Sequence, residues 1–362
     1  MAKLVFTVTN ALNNDQRMIR ICSTLVAEGH LVTLIGRCDS SSAPLTERPF
    51  SQKRIRCFFN KGFLFYAEFN IRLFFYLLFF KADLICAIDL DTILPCLWIS
   101  KWKGIPRVFD AHELFCEMKE VLERPNIYRI WKKIENYAVP QFKFGYTVNH
   151  HLANEFKNMY SVDYAVIRSI SSGYSLIHQQ PKEKKIIYQG AVNEGRCFES
   201  LIPAMKTVHA ELHIYGTGNF ISQAKQLALD HQVLDKVKFL GSVSPEELKR
   251  ITPHYYIGIT LFEAGAKSNY YSLANRFFDY IHAGVPQLTS DYPVYREMNK
   301  VHEIALLIGD SSPNGISTHL NLLLEDDILW AKLHKNCSVA ASEWNWENES
   351  KSLTQFYKNV LS

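Results

Sequence analysis

The chain has 362 residues, 48% of them hydrophobic and 21% charged. That length suits two domains, and the composition excludes disordered and collagen-like classes. A formal net charge of +4 without a long Lys/Arg block is too mild to predict nucleic-acid binding, and none is expected.

The first half alternates strands and helices. The opening, Met1 to Phe6, reads as an immediate strand and not as a signal peptide. A β-rich run covers Leu4 to Val8. Apolar residues at helical spacing (Met18, Ile19, Cys22, Leu25, Val26) predict a helix over Asp15 to Glu28, stopped by Gly29-His30. Strands are expected at Leu31–Ile35, Ile55–Phe59, Leu84–Ile88, Arg107–Asp110 and Gly145–Val148. Between them, Phe63 to Phe80 is crowded with aromatics and preceded by Lys53, Arg54, Arg56 and Lys61. Its most apolar run, Leu73 to Phe80, is too short to span a bilayer. The stretch reads either as a helix packed on the sheet or as a surface resting on an anionic membrane.

The pattern loosens over 169–185, the expected linker. Alternation then restarts. Ile186-Ile187-Tyr188, Leu212–Tyr215, Val237–Leu240, Tyr256–Leu261 and Gln287–Thr289 read as strands. Strand–helix alternation on both sides of the linker predicts two parallel α/β domains, 1–168 and 186–346. Trp344 and Trp346 stand before a helix-like tail. That tail, about 347–362, is expected to cross back onto the first domain.

In such sheets, ligands bind beyond the carboxyl ends of strands. Four segments there carry chemistry. Ser272-Leu273-Ala274 precedes a helix that begins near Asn275-Arg276, and a helix start suits a diphosphate. Asp279, one turn in, reads equally as an acceptor for ribose hydroxyls or as a solvated side chain. Gly190, after a strand, allows close backbone approach, and Arg196 is a bidentate phosphate donor or a surface arginine. His112 and Glu113 follow a buried strand, where His112 reads as a sugar ligand or a structural donor. Asp89 and Asp91 mimic a metal pair but lack a third ligand, so they read as loop and helix-cap residues and no metal is expected. The eight cysteines, Cys22 to Cys337, contain no CxxC pair. That argues against zinc and fits reduced thiols in a cytosol.

Taken in order, these motifs resemble the GT-B glycosyltransferases, the retaining family 4 group. The resemblance covers almost the whole chain. It rests on Asn14-Asp15-Gln16-Arg17, Glu28-Gly29-His30, Asp89-Leu90-Asp91-Thr92, Phe109-Asp110-Ala111-His112-Glu113 and Tyr188-Gln189-Gly190 with Gly195-Arg196. Phe239-Leu240-Gly241 and Ser272 to Tyr280 with Ala283-Gly284-Val285-Pro286 complete the set. The resemblance implies two Rossmann-like domains facing across a cleft. The second would bind the nucleotide and the first the acceptor. Asp279 would take the ribose, Ser272 to Asn275 the diphosphate, Arg196 a phosphate, and Leu240, Gly241 and Ser242 would lie near the base. His112 would face the transferred sugar, with Asn14, Asp15, Asp89, Asp91 and Glu113 on the acceptor side. Two departures stand out. Tyr271 occupies the place of the family's first glutamate, and Glu199 and Ser200 the stretch of its usual lysine, leaving Arg276 or Lys267 to supply that charge.

The implied reaction moves a sugar from a nucleotide-sugar, UDP- or GDP-linked, to a glycan or lipid-linked acceptor, with retention and without metal or other cofactor. The expected location is cytoplasmic, on the inner face of the cell membrane. Two alternatives remain open: a nucleotide-sugar epimerase on the same scaffold, and a binding subunit that does not turn over.

Overall fold

Leu84–Ile88 has no polar side chain, and all five residues are buried. A strand of that kind needs cover on both faces, the condition of a parallel sheet wrapped by helices. The computed structural model describes residues 1–38, 42–173 and 183–362. It divides into two compact units: Met1–Ser169 with Glu347–Ser362, and Ile170–Trp346. Of the expected linker, 174–182 lie outside the described residues.

The first unit contains β1 (Lys3–Thr7), β2 (Leu31–Cys38), β3 (Ser51–Arg56), β4 (Leu84–Ile88), β5 (Arg107–Ala111), β6 (Phe144–Thr147) and β7 (Ala165–Val166). They form one parallel sheet in the order β3-β2-β1-β4-β5-β6-β7. Three helices matter below: α1 (Gln16–Ala27), α2 (Gly62–Phe79) and α3 (Ile93–Lys103). The terminal helix Trp346–Leu361 inserts Tyr357, fully buried, beside Phe6 and Tyr146. Its Glu349 carboxylate accepts three bonds from Arg168.

The second unit contains β8 (Ile186–Gln189), β9 (Leu212–Tyr215), β10 (Val237–Gly241), β11 (Ile257–Thr260), β12 (Gln287–Ser290) and β13 (Ala305–Ile308). These too are parallel, in the order β10-β9-β8-β11-β12-β13. In both sheets the winding reverses once, at β1/β4 and at β8/β11. The reversal opens a crevice beyond the strand ends where a ligand fits.

The third strand differs from expectation. Ile55–Phe59 is not the strand; Ser51–Arg56 is. This strand lies at the sheet edge, where one-sided burial suffices, so polar residues fill it. Phe58 and Phe59 lie outside it, exposed. Helix α2 also differs. It is 18 residues with a mean hydropathy of 1.3, long and apolar enough to cross a membrane by length and composition. Yet it buries Phe65, Phe69, Leu73 and Leu77, one stripe at i, i+4 spacing, within the first unit. None of the eight cysteines is in a disulfide.

Candidate functional site

In the first unit, polar groups gather where β1, β4 and β5 end. Asp15 caps α1, its Oδ1 accepting from the Met18 N–H at 3.0 Å. The cap fixes the first helical turn and so places Arg17 under the sheet end. Arg17 donates to both oxygens of Asp110, at 3.2 and 2.8 Å, and to the Ile167 carbonyl at 3.1 Å. Both partners of this ion pair are buried. Asp110 in turn lies 3.3 Å from His112 Nε2, and Asp89 Oδ2 lies 3.0 Å from Nδ1. The His112 N–H also donates to Asp89 Oδ1 at 3.1 Å.

Asp89 adopts φ 52°, a left-handed conformation that is strained for a residue with a Cβ. Its N–H donating to the Asp110 carbonyl and its carboxylate holding His112 keep it there.

The electrostatics follow from this geometry. Burial pulls the His112 imidazole down, but Asp89 and Asp110 outweigh it and raise it well above the ordinary histidine value. Burial pushes Asp110 up, yet Arg17 and His112 overcome that and hold it at about 2. His112 is therefore an imidazolium between two carboxylates, a donor and not a base. Its Nε2 is buried without a directed hydrogen bond.

Asp91 does not cap the following helix, contrary to expectation. Helix α3 begins after Thr92 with no side-chain cap. Asp91 Oδ2 instead accepts from Thr9 Oγ1 at 2.7 Å, and Oδ1 is buried without a partner. Burial, with Asp89 adding to it, raises this carboxyl to about 7 against the Thr9 bond. Asn14 is exposed and Glu113 is half-buried next to His112. No group of three or more His, Cys, Asp or Glu side chains among the described residues is arranged to hold a metal.

In the second unit, the loops after β8, β9 and β10 are knit together. Gly216 N–H donates to the Gly241 carbonyl at 2.8 Å, and Gly190 N–H to the Tyr215 carbonyl at 2.9 Å. A Cβ on Gly216 would sit 1.8 Å from the Gly190 carbonyl oxygen, so that position admits only glycine. Ser242 reaches Thr217 at 3.2 Å, and Leu240 is exposed on the same rim.

The helix Asn275–His282 starts after Ala274, which has no side chain to cap it. Its first N–H groups thus point outward with the positive end of the helix dipole. Leu273 is buried beside this start, and Ser272 is tied back to the Asn269 carbonyl at 2.8 Å. Asp279 is half-buried, one turn in. Its oxygens accept from Ser171 Oγ at 2.6 Å and Gln189 Nε2 at 3.2 Å. Gln189 is oriented from its other side by Thr252 at 2.8 Å.

Two arginines approach this place. Arg196 packs over the Phe262 ring at 4.4 Å and reaches Asn269 at 3.5 Å. Arg276 is only 8% exposed, lies between the rings of Tyr188 and Phe262, and donates to Tyr188 Oη at 3.4 Å. Its Nε and Nη2 are buried with no partner, and no carboxylate among the described residues pairs with it. A Cβ on Gly190 would be 3.5 Å from its Nη1. Lys267, the other candidate for the missing charge, is exposed.

The sequence motifs contain Arg17, Asp110, Tyr188 and Gln189 but do not show that these residues orient the site groups, and Ser171 and Phe262 lie outside those motifs. Arg17 and Asp110 hold His112, Gln189 and Ser171 hold Asp279, and Tyr188 and Phe262 hold Arg276. Two of them carry a signal in the sequence: Asp110 follows the apolar Val108-Phe109 and Gln189 follows Ile186-Ile187-Tyr188, and a buried polar residue is informative.

The comparisons with known proteins bear on what this geometry serves. The model for Glycosyltransferase Family 4 matches residues 16–176, and that for Glycosyl transferases group 1 matches 177–344. No curated relative matches. Among solved structures, the fold is similar to sucrose-phosphate synthase from Thermosynechococcus elongatus (14% identity, 99% of each chain, TM-score 0.82). It is also similar to Anabaena HepE, solved with UDP-glucose (12% identity, 99% of this chain and 100% of that one, TM-score 0.77). A third is WaaG, a glycosyltransferase involved in lipopolysaccharide biosynthesis (14% identity, 98% and 99%, TM-score 0.70). With two adjoining family matches that together span residues 16 to 344, on two parallel sheets, the chain belongs to the GT-B glycosyltransferases.

Proposed function

We propose that the second unit binds the diphosphate of a nucleotide-sugar and that the first unit serves the transferred sugar and the acceptor. One observation carries this reading: the buried guanidinium of Arg276, its Nε and Nη2 without a partner among the described residues, beside an uncapped helix start. A buried cation without a counter-charge is costly, and an anionic ligand removes that cost. Arg196 joins it on the phosphates, and Asp279, positioned by Gln189 and Ser171, accepts from the ribose. HepE, solved with UDP-glucose, makes a UDP-sugar the first donor to try, followed by a GDP-sugar.

The chemistry needs little more. Sugar transfer passes through an oxocarbenium-like state while the diphosphate departs. Fixed guanidinium groups and helix N–H groups stabilise the growing negative charge. His112, charged, donates to the sugar. Retention follows if the acceptor attacks from the face the diphosphate leaves, and the arginines replace a metal in this scheme. The acceptor is a glycan or a lipid-linked sugar.

The test separates the two roles. Arg196→Ala should lose affinity for the free nucleoside diphosphate and fall about 100-fold or more in turnover. His112→Ala should lose turnover and keep nucleotide affinity. Equal loss of nucleotide affinity in two folded variants would overturn the division of labour. Product analysis with and without acceptor distinguishes transfer from epimerisation.

A further inference from the structure

Helix α2 has two faces of unlike fate. One stripe is buried in the first unit. The other leaves Phe63, Ile71, Phe75 and Phe79 exposed, by 56 to 82%. The neighbouring α3 adds Trp98 and Trp102, also exposed. Between the helices runs a groove of about 450 Å³, lined by Ile71, Phe74, Phe75, Leu94, Pro95 and Trp98 among others. Its walls are apolar almost throughout. Contiguous exposed apolar surface of this kind marks an interaction site.

The charges around it are mainly basic, although Asp83, also exposed on the flank after α2, accepts from the Lys3 N–H. Lys61, Arg72, Lys81 and Lys101 are exposed on the two helices and their flanks. The one carboxylate on α2, Glu68, is already engaged by the Phe58 and Phe59 N–H groups and by Arg72. An apolar stripe with tryptophans at its margin and a basic rim fits a lipid surface that carries negative charge. A second copy of the chain fits less well, because a two-fold contact would bring the same cations together.

We infer that the α2–α3 face docks on an anionic bilayer. Helix α2 lies in the interface and does not cross it, because its other stripe belongs to the core of the first unit. The outward aromatic side chains enter the acyl region, and the lysines and Arg72 meet the headgroups. The inference is independent of the donor site, and its test contains no nucleotide.

The experiment is flotation of the full chain with vesicles of phosphatidylglycerol or of phosphatidylcholine, at low and high salt. The expected result is binding to phosphatidylglycerol that weakens with salt, and weaker binding to phosphatidylcholine. Lys61→Glu with Lys101→Glu should reduce phosphatidylglycerol binding about tenfold or more and flatten its salt dependence. Ile71→Glu with Phe75→Glu should abolish binding to both, with unchanged circular dichroism and melting temperature, since both positions are exposed. Equal, salt-independent binding to both lipids would overturn the inference, as would wild-type binding by either folded variant. It would also fail if the wild type ignored vesicles and were a dimer that Ile71→Glu with Phe75→Glu converts to monomer.

Discussion

The polar clusters of the two units are built on opposite principles. In the first, the cations are matched by carboxylates: Arg17 with Asp110, and His112 between Asp110 and Asp89. In the second, Arg276 rests on two aromatic rings and meets no carboxylate among the described residues. The cations of the first cluster are compensated as folded, and its strain at Asp89 is held by its own bonds. The second is short of one anion. Compensation marks a positioning device, and its lack marks a binding site.

Breaking the compensated cluster should have the largest effect. Asp110→Asn leaves a buried guanidinium with no counter-charge and should cost about 3–5 kcal/mol of stability. Urea unfolding measures it. A cost of less than about 1 kcal/mol would mean that the pair does little for the first unit.

On the other side of the comparison, Asp279→Ala should leave folding nearly intact. It should weaken donor binding by about 1–3 kcal/mol, the value of a hydrogen bond to a charged group. Calorimetric titration with the nucleotide-sugar reads this directly, and unchanged affinity would remove Asp279 from the site.

Asp91 gives a pH signature in place of a change at one pH. Its folded carboxyl sits at about 7, above the unfolded value of about 3.9. The folded chain keeps a proton that the unfolded chain has lost. The contribution of this group is therefore fully present below about pH 4 and is lost as the pH rises through 7. Asp91→Asn should flatten the decline in stability between about pH 4 and 7, and parallel profiles for the two proteins would contradict the assignment.

The fold was legible where burial is complete. Leu84–Ile88 stands out in the sequence because a central parallel strand is apolar on both faces. Edge elements were not. Ser51–Arg56 needs little apolar content, and its neighbours Phe58 and Phe59 drew attention away from it. Ala165–Val166 is two residues long, and Ala305–Ile308 carries no β-specific pattern between its helices.

At the sites, local spacing revealed the helix start near Asn275 and placed Asp279 one turn inside it. What spacing does not reveal is which side chains meet. Arg17 and Asp110 are 93 positions apart, and Gln189 and Asp279 are 90. Those pairings exist only once the sheets have formed. Nor does spacing tell a buried arginine from an exposed lysine, which is what separates Arg276 from Lys267.

The central claim is that Arg276 awaits a diphosphate, and one paired measurement tests it. Arg276→Met keeps the packing between Tyr188 and Phe262 and removes the charge. The free variant should unfold within about 1 kcal/mol of wild type, because no ion pair is broken. Calorimetric titration with UDP, and with GDP if UDP does not bind wild type, should show affinity lower by about tenfold or more. Wild-type nucleotide affinity in the folded variant would contradict the account. So would a stability loss as large as that of Asp110→Asn, since it would make Arg276 a structural group and not a binding one.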